Sequence, residues 1–97
     1  MLVHKAMMTL ADSGGSVSFA LPGARFHCVL IIIATSGDTR LRAKVLGEGR
    51  AFEGEVHRAE SIEEMKKFLR DEGNEDQVRF AIRTLWNRIE GRKSLQP

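Results

Sequence analysis

The sequence predicts an α+β fold: a four-stranded antiparallel meander followed by two helices, with a short helix ahead of the sheet. Three observations predict it. Between Ser16 and Val56 apolar residues recur with the period of two that a half-buried strand requires. Turn signals at Pro22-Gly23, Gly37-Asp38 and Glu48-Gly49 divide that stretch, and each leaves the apolar residues of adjoining strands on one side of the sheet. Beyond residue 60 the period becomes helical, and the change opens with a capping motif, Ser61-x-x-Glu64.

The elements follow in order. Over residues 2–11, Leu2, Val3, Ala6, Met7 and Leu10 share one side of a helical wheel, with Lys5, Thr9 and Asp12 opposite. Ser13-Gly14-Gly15 breaks that helix, so residues 1–15 read as a helix and a joint. A first strand over 16–21 alternates Val17, Phe19 and Leu21 with Ser16, Ser18 and Ala20. With Pro22-Gly23 as a two-residue loop, Phe19 faces Phe26 and Val17 faces Cys28 on the second strand, 25–34. With Gly37-Asp38 as the next loop, Ala34, Ile32 and Leu30 oppose Leu41, Ala43 and Val45 on the third strand, 39–46. With Glu48-Gly49 as the last, those three oppose Val56, Gly54 and Phe52 on the fourth strand, 50–57. On the reverse face Arg42 then meets Glu55 and Lys44 meets Glu53, pairs worth a few tenths to about 1 kcal/mol each.

A helix over 62–72 buries Ile62, Met65 and Leu69 and carries a Glu63–Lys67 pair on its wet side. Asn74 is placed to cap a second helix over 75–91, where Val78, Ala81, Ile82, Leu85 and Ile89 form the apolar stripe and Trp86 its edge. Residues 92–97 read as a frayed tail.

At 97 residues, with 42% hydrophobic and 29% charged, the chain has the length and composition of a single globular domain with one core. Its one cysteine, Cys28, can make no internal disulfide and sits in an apolar run. That run, Cys28 to Ala34, is far short of the roughly 20 residues that span a bilayer as a helix, so no membrane partner is expected. The N-terminus lacks the apolar segment of a secretory signal, which makes a cytoplasmic location the expectation. The formal net charge of +2 is a mild excess that does not demand a polyanionic partner.

The reverse face of the sheet carries the candidate site. Val29, Ile31 and Ile33 line it on the second strand, flanked by Ser16 and Ser18, by Arg40, Arg42 and Lys44, and by Glu53, Glu55 and His57. An apolar stripe on a charged face needs cover. A second copy of the chain is the favoured occupant, with Met7 and Met8 of the first helix as further candidate contacts; the competitor is residues 1–12 folding back as a lid. A small apolar ligand or a peptide at the face or at the subunit junction is also allowed.

Two other functions are weaker expectations. Arg40, Arg42 and Lys44 on the sheet, and Arg79 and Arg83 beside Trp86 on the last helix, are the residues that could hold a single-stranded nucleic acid. Against this, Glu53 and Glu55 share the sheet face, and no aromatic lies there to stack a base. Glu53, Glu55 and His57 at i, i+2 and i+4 could bring two carboxylates and an imidazole to one proton-transfer site. Cations opposite both carboxylates argue for salt-paired surface instead. No nucleotide, metal-ligand or nucleophile motif is present, so neither a catalytic residue nor a cofactor is assigned. The sequence therefore points to a non-enzymatic, homo-oligomeric binding protein, with nucleic-acid binding and a small enzyme as alternatives.

Overall fold

The computed structural model describes residues 2–20 and 25–91. It is an α+β fold: helix α1 (Leu2–Ser13), strands β1 (Ser16–Ala20), β2 (His27–Thr35), β3 (Asp38–Gly47) and β4 (Arg50–Ala59), then helices α2 (Ile62–Arg70) and α3 (Glu75–Ile89). The strands form one antiparallel sheet in the order β1-β2-β3-β4. The predicted tail 92–97 and the Pro22-Gly23 turn lie outside the described residues.

All three helices pack on one face of the sheet. A single cluster unites Val3, Met7 and Leu10 of α1 with Leu30, Leu41 and Val45 of the sheet, Met65 and Leu69 of α2, and Val78, Ile82 and Ile89 of α3. The first helix is thus part of the core. It is no lid over the reverse face, because its apolar side is already spent on α2 and the strands beneath it. Asp12 and Arg70 tie α1 to α2 with an ion pair of 2.8 Å.

Most helix ends and the last hairpin follow from local causes. Gly14, at a φ of 71°, ends α1 by donating its N–H to Leu10 O. Ser61 caps α2, its Oγ accepting from Glu64 N at 3.2 Å. Asn74 does not cap α3 as predicted; its Nδ2 donates back to Phe68 O at 2.8 Å, and one turn of 3₁₀ helix, Glu72–Asn74, links the two helices. Glu48 and Gly49 both have positive φ, 53° and 73°, as a two-residue hairpin loop matching the strand twist requires.

Up to Glu55 the registers keep the predicted faces but not always the predicted partners; beyond it Leu41 pairs with His57 instead of the predicted Val56. Phe19 pairs with Cys28, and Val17 with Leu30, a slip of two residues. Phe26 is instead tucked into the core, edge-on to Trp86 with ring centroids 5.1 Å apart. Leu30 pairs with Ala43 and Ile32 with Leu41, because the loop is Ser36-Gly37 rather than Gly37-Asp38. This puts the positive φ on Gly37 and frees Asp38 to begin β3. A slip of two preserves every side chain's face.

Candidate binding surface

The helix-free face of the sheet is a set of rows running across the strands. Ser18, Val29 and Lys44 share one row, Ser16, Ile31 and Arg42 the next. Side chains grow longer across each row, from serines on β1 through Val29, Ile31 and Ile33 on β2 to Arg40, Arg42 and Lys44 on β3. Val29 and Ile31 are half-buried among these neighbours, whereas Ile33 is 41% exposed. Ile33 also lines a hollow of about 380 Å³ with Thr35, Asp38, Arg40 and Arg42. Among the described residues nothing covers the stripe.

Beyond the stripe stands a wall of ion pairs. Arg42 Nε lies 2.6 Å from Glu53 Oε2, and Arg40 reaches Asp38 at 2.9 Å and Glu55 at 3.5 Å. Arg58 joins it, at 3.7 Å from Asp38 and 3.6 Å from Glu55. Each carboxylate is therefore engaged by at least one guanidinium, which leaves neither Glu53 nor Glu55 as a free base. Such partly exposed pairs contribute about 0–1 kcal/mol each to stability, so they shape the surface more than they hold it together. Lys44 is different: among the described residues it has no carboxylate in ion-pair range.

His57 is not on this face. A bulge opposite Leu41 and Arg42 lets β4 carry one residue more than β3, so Leu41 pairs with His57 while Arg42 pairs with Glu55. From that point the alternation inverts. His57 turns to the helix side and stacks on Phe68, ring centroids 3.7 Å apart and planes 10° from parallel. Burial there pushes its pKa below the ordinary 6.5. Arg58 takes the place predicted for His57, and Gln77 of α3 donates to the Val56 carbonyl at 2.8 Å beside the irregularity. The proposed grouping of Glu53, Glu55 and His57 is thereby broken up.

The remaining candidates are dispersed. Met7 is wholly buried in the core and has no surface to offer an interface; Met8 is half-buried on α1, on the helix side of the sheet. Arg79 is held by Glu75 at 3.2 Å, and Arg83 is exposed beside a small hollow of about 80 Å³ lined also by Val3, Ile82 and Trp86. Trp86 is engaged edge-on by Phe26, and its Nε1 is buried without a partner among the described residues. Arg40 and Arg42 are consumed by the ion-pair wall. The aromatic that does face water is Phe80, 74% exposed beside a groove of about 320 Å³ between α3 and β4. Its place opposite the apolar stripe of α3 was readable from helical spacing alone.

Cys28 is buried on the helix side of β2, and burial pushes its thiol up to about 11. Among the described residues no three His, Cys, Asp or Glu side chains converge as a metal site would, and no helix is long and apolar enough to cross a membrane. No protein-family model matches the chain, and no curated protein and no solved structure is significantly similar to it.

Proposed function

We propose that this protein is a non-enzymatic association module that works as a homodimer joined through the open face of its sheet. The observation that carries this is the position of α1. With that helix committed to the core, Val29, Ile31 and Ile33 are left without a cover among the described residues. The ion-pair wall supports a second copy as the occupant, since a face that bears both signs of charge in neighbouring strands is suited to meet itself.

The energetics favour a dimer that dissociates on dilution. Full burial of a Val or Ile side chain is worth about 1.5–3 kcal/mol, and with Val29 and Ile31 already half-covered, six such residues yield roughly half of the sum, on the order of 5–9 kcal/mol. Association costs an estimated 4–15 kcal/mol, so the stripe needs help from the rest of the face. Light scattering coupled to size-exclusion chromatography, over a range of protein concentrations, tests the reading. The native chain should pass from monomer to dimer, and Ile31→Lys should remain a folded monomer throughout. A native chain that stays monomeric at every concentration, or an Ile31→Lys variant that still dimerises, would overturn it.

A further inference from the structure

We infer that the second copy docks with its two-fold axis running along β2, so that β1 of each chain lies over β3 of the other; this rests on the reading of the open face as a homodimer interface. Two sheet faces can be related by a two-fold axis lying in the interface in two simple ways. An axis across the strands sets β1 on β1 and β3 on β3. An axis along β2 exchanges them.

The side chains distinguish the two. Stacked sheets keep a nearly constant spacing of about 10 Å, so long residues must meet short ones. An axis across the strands sets the β3 cations Arg40, Arg42 and Lys44 of one chain against those of the other, where like charges crowd, and leaves β1 with its serines facing β1 across a gap. With the axis along β2, Ser16 meets the second copy's β3 at the level of Arg42, Ser18 at the level of Lys44, and Ala20 at the level of Leu46, because those residues share rows of the sheet. Ile31 then packs near its own equivalent at the axis. Lys44, which has no ion pair among the described residues, comes within reach of a hydroxyl from the other chain. The charged outer strand β4 overhangs the junction and keeps Glu53 and Glu55 in water, where both are exposed. The sheets remain nearly aligned, as twisted sheets packed face to face prefer.

Ser18→Glu reads the axis directly through the sign of its effect. With the axis along β2, each new carboxylate faces Lys44 of the other copy, and the dissociation constant measured by sedimentation equilibrium at low salt should fall roughly three- to tenfold, the range expected of two surface ion pairs. With the axis across the strands, the glutamates crowd each other and the dimer loosens. Mixing separates the pair between chains from a pair between a glutamate at 18 and Lys44 of its own chain across β2. Ser18→Lys mixed with Lys44→Glu should give heterodimer beyond the statistical share in native mass spectrometry. An unchanged or weaker Ser18→Glu dimer, or a statistical mixture, overturns the axis while leaving the dimer itself intact. A native chain that never dimerises removes both.

Discussion

The two faces of this sheet are built from the same strands by alternate residues, yet they have reached different states. On the helix side Leu30, Leu41 and Val45 have no solvent exposure and Ala43 almost none. One residue further along the same backbone, Ile31, Arg42, Lys44 and Leu46 remain half-exposed. Strand β2 is apolar on both sides, a pattern that belongs to strands covered on both faces. The covered face found its partners within the chain; the open one has only a fence of ion pairs around its apolar centre. Among the described residues the packing of this fold is complete on one side alone, and the other side is the one proposed above to take a partner.

Trimming matched residues separates the two faces most directly. Leu41→Ala removes a wholly buried side chain from the centre of the helix-side core and should cost about 2–5 kcal/mol in urea denaturation. Ile31→Ala, measured in dilute monomer, removes a half-buried side chain from the open face and should cost less than about 1.5 kcal/mol, the low end of apolar burial. Equal costs would mean that the open face is already covered in the monomer.

Two glycines sharpen the contrast at smaller scale. At Gly47 an added Cβ would run into the ring of Phe26, which is 3% exposed and held edge-on by Trp86. Gly47→Ala should therefore destabilise by about 1–3 kcal/mol, the usual cost of overpacking. At Gly54 the same Cβ would meet only Leu85 Cδ2, at 3.6 Å, an ordinary contact. Gly54→Ala should shift stability by no more than about 0.5 kcal/mol. Comparable losses at both positions would show that the α3–β4 seam is as tightly closed as the Phe26 corner.

What the sequence revealed and what it hid divide along physical lines. The faces were legible because a period of two leaves only two choices for each strand, and a register slip of two residues at Phe19 or Ile32 alters neither. Partners were less legible. Nothing local told that Phe26 would leave the strand for Trp86, or that Gly37 would occupy the second loop position. The placement of α1 was hidden because an amphipathic helix suits any apolar surface, and only the finished core decides which one it takes. The bulge near Val56 had no signature in composition, so His57 was assigned to the wrong face, and Arg58 and Asp38 were missed as members of the ion-pair wall. The apolar stripe itself was read correctly, since three β-branched residues at alternate positions admit no other arrangement within β2.

The smallest expected effect tests which face His57 belongs to. Its folded pKa lies below the ordinary 6.5 because the ring is partly buried against Phe68. Above pH 6.5 the imidazole is neutral in both folded and unfolded chains, and it takes nothing from stability. As the pH falls below that value the unfolded chain binds the proton first, so stability declines until the folded form is protonated too. His57→Phe keeps a flat ring for Phe68 to stack on and has no proton to bind. The urea midpoint of the native chain, followed from pH 7.5 down to about 5, should therefore fall more steeply than that of the variant, by an amount small beside the core substitutions. Identical slopes would mean that His57 is free in water. A native slope shallower than the variant's would mean a raised pKa, as a neighbouring carboxylate produces, and would return His57 to the open face beside Glu55.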